Sequence, residues 1–271
     1  MLSNFLLILG IAILSLSLRQ FRPIFFQKLS ALGILATSFL TGWLMTGYWI
    51  AGLFCALSWF ILPWVEILTR VRKLSLPVER DLARRHAPNR EAFPALSELT
   101  EEIEEEGFEH LDDCGWEMDD YEQFFRLFYK DDERIQGAIC LIEQHRVGFY
   151  YLSLSSRAKD GRIWTTWNYP FSYSLKLLPQ WKVNRLRGDK SFLELYLSHC
   201  DFLRANGIQT EELHILDSER IHAEIQGDMR AQLQHNISAG VLTETSSGQV
   251  RYSWRGLFFI WFQFMRDLVW I

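Results

Sequence analysis

The chain has 271 residues, enough for one large domain or two small ones, and a net charge of −5 that gives no general attraction to nucleic acid. Its ordinary apolar share hides an uneven distribution, with apolar residues crowded into roughly the first quarter and charges following. The 11 Trp and 20 Phe lie largely in or near apolar segments, the usage expected where rings sit at a lipid headgroup boundary.

The first apolar run, Leu2 to Leu18, contains no charge and just reaches the length needed to cross a bilayer. It lacks the basic leader of a cleaved signal peptide. A second run extends from Leu29 to Thr69, with Glu66 as its only ionisable side chain. At 1.5 Å per residue its roughly forty residues make about twice a membrane thickness. The run must therefore turn, and Thr46-Gly47-Tyr48 divides it into nearly equal halves. The pattern predicts helices over 2–18, 29–46 and 48–68, a three-helix transmembrane anchor over 1–69. Arg19, Arg22 and Lys28 lie between the first two helices, Arg70, Arg72 and Lys73 follow the third, and the turn between is uncharged. Short basic loops stay in the cytoplasm. The expectation is a multi-pass protein of the cell membrane, N-terminus outside and C-terminal domain cytoplasmic. Gly33, Thr37 and Thr41 repeat every four residues, as do Gly52 and Ala56. Such faces predict close packing within the bundle or between copies in a homo-oligomer. Glu66 stands four residues before Arg70, the spacing of an ion pair on one helix face.

Residues 70–94 read as a basic, proline-punctuated connector whose Arg80, Arg84, Arg85 and Arg90 would lie close to an anionic leaflet. A cytoplasmic α+β domain is predicted over 95–207. It opens with a helix from Ala95 to Glu106, N-capped by Ser97, with glutamates on its solvated face and Gly107 as its stop. Strand-like runs follow at Phe108–Cys114, Phe124–Tyr129, Ala138–Glu143, Val147–Ser155 and Ile163–Asn168, with turns at Gln144-His145-Arg146 and Asp160-Gly161. That is an antiparallel meander of about five strands. A second helix over Ser191–Leu203 closes at Asn206-Gly207 and completes a two-layer α+β arrangement. Residues 208–271 are expected to hold a long helix over 210–238 and a small hairpin, Val241–Thr245 with Val250–Trp254. An apolar helix over 257–271 ends the chain. Gln263, Arg266 and Asp267 fall on one stripe of it, and its apolar face suits either the membrane interface or packing against the other helices.

Chemistry is sparse. Cys55 lies in an apolar helix, and Cys114, Cys140 and Cys200 are far apart without a CxxC, which argues for a reducing compartment and against a disulfide framework. His110, Asp112, Asp113 and Cys114 form the densest group of potential ligands, and strand alternation would put His110, Asp112 and Cys114 on one face. No second cluster completes a metal shell. His199 and Cys200 are helix neighbours that point apart, and His214 and His222 lack the HExxH pattern. No GxGxxG, Walker-type loop or GxSxG elbow occurs. Lys176, Lys182, Arg185, Arg187 and Lys190 make a basic loop, but the acidic 210–238 segment beside it would repel phosphate, so no nucleic-acid partner is expected. These residues predict no catalytic, cofactor or metal site. They predict instead a membrane-anchored, non-enzymatic interaction or regulatory protein, with the lipid bilayer and a protein docked on the sheet or the acidic helix as partners. The alternative is a membrane-associated enzyme or binding protein for a small or lipid-like molecule, using His110, Cys114 or His145.

Overall fold

The computed structural model describes residues 2–18, 20–21, 24–78, 82–89, 93–118, 121–144, 147–188, 190–245 and 248–270. In chain order the elements begin with helices α1 (Leu2–Leu18), α2 (Ile24–Thr46) and α3 (Trp49–Thr69), then strands β1 (Ser75–Pro77) and β2 (Ala83–Arg84). Helix α4 (Leu96–Glu105) precedes β3 (Glu109–Met118), β4 (Tyr121–Lys130), β5 (Ile135–Gln144), β6 (Val147–Arg157), β7 (Ile163–Trp167) and β8 (Trp181–Arg185). Helices α5 (Phe192–Ala205) and α6 (Ile221–Ser238), strands β9 (Leu242–Glu244) and β10 (Gln249–Tyr252), and helix α7 (Trp254–Trp270) complete the chain. Two compact units result: residues 1–77, 172–176 and 236–271 form one, and residues 78–171 and 177–235 the other.

In the first unit Gly47, at φ +78°, makes the reversal between α2 and α3, and Thr46 Oγ1 accepts from the Tyr48 amide. The small residues let the helices close up. A Cβ at Gly33 would stand 2.0 Å from Ser15 Oγ of α1, and one at Gly52 would stand 2.5 Å from the Phe39 carbonyl oxygen of α2. Thr37 and Thr41 turn their hydroxyls back to the carbonyls four residues earlier, so the stripe offers little polarity outward. Two helices, Phe25–Thr46 and Trp49–Lys73, are long and apolar enough to cross a membrane, and the shorter α1 is apolar over Asn4–Leu18. Their side chains face outward: Phe25 is 69% exposed, Met45 78% and Phe54 67%.

The tail of the chain returns to this unit. Strands β1, β10 and β9 form a three-stranded antiparallel sheet with Ser75 opposite Arg251 and Arg251 opposite Thr243. The hairpin is the expected one, extended by a third strand from the connector. Helix α7 packs beside α3, where Trp261 donates its indole N–H to the Phe60 carbonyl at 2.9 Å and Phe258 meets Trp64 edge-on. Its polarity departs from that of a water-soluble surface helix. Gln263 and Asp267 are buried, Asp267 accepting from Ser172 Oγ at 2.8 Å, while Trp254, Phe258 and Phe262 stand outward.

The second unit is α+β, with a seven-stranded sheet in the order β2-β3-β4-β5-β6-β7-β8. All neighbours are antiparallel except β7 and β8, which run parallel. The five-strand meander is its centre. The two further strands lie at the edges, outside the five expected. β2 is only two residues long, and β8 (Trp-Lys-Val-Asn-Arg) falls in the stretch expected to be a basic loop. Charged, short edges are how sheets avoid pairing with other chains. One sheet face buries Phe124, Phe128, Ile139, Leu152 and Leu154 against Leu96 and Ile103 of α4 and Phe192 and Leu195 of α5. The other buries Cys114 and Leu127 against Ile221 of α6.

Three local expectations change. The N-cap of α4 is Ala95 without a side-chain bond, so Ser97 lies inside the helix. Ser191, by contrast, caps α5 with a full capping box to Glu194. The helix expected over 210–238 is broken: Thr210–Glu212 forms a 3-10 turn, Leu213 bridges Ala158, and α6 starts only at Ile221. Tertiary contacts override helix propensity there. Leu213 is buried with Trp164 and Leu203, and Arg134 Nη1 donates to the Thr210 and Leu213 carbonyls, which a continuous helix would keep for itself.

A Cβ at Gly115 of β3 would stand 2.2 Å from the Gln123 carbonyl oxygen, whereas one at Gly148 finds its nearest atom at 3.8 Å. Gly115→Ala must therefore push β3 off β4 and is expected to cost about 1–3 kcal/mol, with Gly148→Ala near neutral. Denaturant unfolding of the full-length chain in detergent measures the difference.

Candidate functional site

The densest group of potential ligands lies on β3, and a bulge rearranges it. The β3–β4 register slips between His110 and Asp112, so that His110 opposes Phe128, Asp112 opposes Leu127 and Asp113 opposes Arg126. One extra residue in a strand reverses the side-chain phase beyond it. His110 thus shares the α4/α5 face with Asp113, while Asp112 and Cys114 point to the α6 face. The expected common face for His110, Asp112 and Cys114 does not form, and His145 lies outside the described residues.

Each half of the group has a structural partner. Arg126 forks onto Asp113, Nε to Oδ1 at 2.9 Å and Nη2 to Oδ2 at 2.7 Å, and its Nη1 donates to Thr100 Oγ1 of α4. His110 Nε2 stands 3.0 Å from Asp113 Oδ1. Burial opposes ionisation of Asp113, but the bonds from Arg126 and His110 outweigh it and hold its pKa below the usual carboxylate value. On the other face Asp112 Oδ2 is 3.0 Å from Arg84 Nε and 3.3 Å from His222 Nε2, joining β2, β3 and α6. Arg85 reaches Glu117 at 3.0 Å. Two of the connector's arginines are therefore spent on the sheet edge, while Arg80 and Arg90 lie outside the described residues. Cys114 is no nucleophile, because burial and the neighbouring Asp112 and Asp113 push its thiol up to about 12.

Two polar clusters escaped sequence reasoning. His199 of α5 is fully buried with Nε2 3.1 Å from Ser156 Oγ and Nδ1 2.9 Å from Thr166 Oγ1. A Ser–His pair suggests nucleophilic catalysis by its composition. Here neither side chain reaches solvent, and burial drives the His199 pKa down to about 4. It is a neutral, hydrogen-bonded core histidine that ties α5 to β6 and β7.

The second cluster lies where the β4–β5 turn meets α5. Lys130 Nζ donates to Tyr196 Oη at 2.9 Å and to the Glu106 carbonyl at 3.0 Å, and sits 4.7 Å above the Tyr196 ring. Glu133 accepts from Tyr196 and pairs with Lys130 at 3.1 Å. Burial would lower the Lys130 pKa, but the bonds with Tyr196 and Glu133 raise it overall. Cys200 goes up to about 11 through burial and the Glu133 charge. The lysine stays charged and the thiol stays protonated near neutral pH, which suits a fastening of turn to helix and not a base–nucleophile pair. A spacing of 66 residues separates Lys130 from Tyr196, so no local motif could announce it.

Among the described residues no group of three or more His, Cys, Asp or Glu is placed to hold a metal ion. The four cysteines are free thiols. No protein-family model, curated protein or solved structure matches the chain.

The buried His199 has a consequence for stability. Its folded pKa of about 4 lies below the ordinary 6.5, so the unfolded chain binds the extra proton between those values. Stability is full above pH 6.5 and falls as pH drops toward 4, by roughly 3 kcal/mol from this group. Unfolding of full-length protein followed across that window should show the slope, and His199→Gln should flatten it. An unchanged slope in the variant would place the titration elsewhere.

Proposed function

We propose that the chain is a multi-pass membrane protein whose α+β unit works in the cytoplasm as a binding or regulatory module, without catalysis of its own. The observation that carries the anchor is the outward-facing apolar surface of α2 and α3. At 23 and 21 residues they are roughly 32–35 Å long, enough for a hydrocarbon layer of about 30 Å. Helix α1, at 17 residues, crosses only with some local thinning of the layer. The charge pattern supports the orientation: Lys28 and Arg70 to Lys73 bracket the α2–α3 hairpin on one side, and its turn at Gly47 has no charge. With the hairpin set this way, the chain after α3 is cytoplasmic whether or not α1 crosses.

The binding role draws support from how the chemistry-bearing side chains are used. Asp113, Arg126, His199, Lys130 and Glu133 are committed to joining strands and helices, and the bulge parts His110 from Cys114. What stands ready for a partner is the outer side of α4, where Glu98, Glu101, Glu104 and Glu105 are exposed. Glu102 differs, accepting from the Phe192 amide at 2.7 Å. A basic protein segment is the partner we assign to that side of α4.

Cysteine labelling in intact cells tests the orientation. A membrane-impermeant maleimide should modify Gly47→Cys from outside and leave Ser75→Cys unmodified until the cells are opened. Labelling of Ser75→Cys in intact cells would invert the orientation. Co-purification then tests docking: a stoichiometric protein partner of wild type should be lost on Glu98→Gln/Glu101→Gln/Glu105→Gln. Retention of that partner by the variant would remove α4 as the docking surface.

A further inference from the structure

Resting on the membrane-anchor reading above, we propose that the end of α3 and the small sheet of the first unit form a binding surface for anionic lipid headgroups, built jointly by the connector and the distant tail. Positive-inside counting concerns residues beside a membrane helix, such as Arg70, Arg72 and Lys73. The fold adds cations that this counting would not assign. Strand β10 pairs with β1, setting Arg251 opposite Ser75 with its Nε 3.5 Å from Ser75 Oγ, and Arg255 follows as the second residue of α7, three residues after β10 ends. Segments some 180 residues apart thus bring exposed guanidinium groups to one place. Among the described residues, the acids near this surface are Glu66, paired with Arg70 at 3.2 Å, and Glu244 of β9.

An aromatic ring marks the depth. The Arg72 guanidinium lies 4.8 Å from the centre of the Trp254 ring, and Trp254 itself is largely exposed. Tryptophan beside arginine is the pairing of a headgroup layer, with the ring at the acyl boundary and the cation at the phosphates. Phe258 and Phe262 continue the same outward side of α7, 56% and 59% exposed. Their apolar faces would enter the acyl region below the cations, where α7 follows α3 from Arg72 past Trp64 to Phe60. A leaflet rich in negatively charged lipid complements both features, and a zwitterionic one complements only the aromatic side.

Lipid selectivity measured by electron paramagnetic resonance tests this. The full-length chain is reconstituted in phosphatidylcholine, and the association of spin-labelled phosphatidylglycerol is compared with that of spin-labelled phosphatidylcholine. Wild type should prefer the anionic lipid several-fold at low salt, with the preference falling as salt rises. Arg251→Gln/Arg255→Gln should reduce it about fivefold or more, to near parity, while Arg251→Lys/Arg255→Lys retains it. Equal association of both lipids with wild type overturns the proposal. So does an undiminished preference in the glutamine variant, which would leave the connector cations acting alone. If either occurs while Gly47→Cys still labels from outside, the lipid proposal has failed and the anchor stands.

Discussion

Outward-facing apolar side chains on α2 and α3 are the constraint on which the account depends. Burying apolar surface is worth roughly 25 cal/mol per Å², and soluble monomers rarely expose contiguous apolar patches beyond a few hundred Å². Side chains such as Phe25, Leu32, Met45, Phe54 and Leu62 stand outward along both helices, so the hydrophobic gain for these residues must come from something other than this chain. A bilayer meets that requirement along the full length of a helix. It also suits the backbone, since a helix satisfies its interior amides internally, as hydrocarbon surroundings demand; Pro63 of α3 withholds one donor, and close to it the Phe60 carbonyl accepts the Trp261 indole N–H. The hydroxyls behave alike: Thr37, Ser38, Thr41 and Thr46 all bond back to carbonyls of their own helix.

The tail helix obeys the same constraint from the other end of the chain. In water an amphipathic helix hides its apolar stripe and shows its polar one. Helix α7 departs from that pattern, hiding Gln263 and Asp267 together with Leu257 and Ile260 while showing Trp254, Phe258 and Phe262. Its exposed rings are accounted for if its outer side meets lipid and its inner side meets Ser172 and the neighbouring helices. The second unit needs no such surroundings. Its sheet carries a buried apolar core, and it pairs buried polar groups such as Ser156 with His199 and Arg126 with Asp113.

Much of this was legible in the sequence wherever one period governed a long segment. The three apolar helices and the central strands appear because their patterning matches a single local geometry over ten or more residues. What stayed hidden has non-local causes. The slip at His110–Asp112 depends on how β3 registers with β4, and it alone decides which ligands share a face. The break at Leu213 depends on Ala158 and Arg134, far away in sequence. Strand β8 alternates Trp181 and Val183 with Lys182 and Asn184, but the run is too short to stand out from its basic surroundings. Its parallel pairing with β7 defines it. In the candidate site, the alternation of a regular strand puts His110 and Cys114 on one face and the bulge puts them on opposite faces, while the buried His199 network is visible only through folding.

Extraction of native membranes with alkaline carbonate tests whether apolar helices hold the chain in the bilayer. Peripheral proteins are stripped by this treatment, and proteins held by apolar helices remain in the pellet. The full-length chain is expected to stay with the membrane and to be released only by detergent. Release of intact, folded chain into the carbonate supernatant would contradict it, and the outward apolar surface of α2 and α3 would then need a protein partner to cover it.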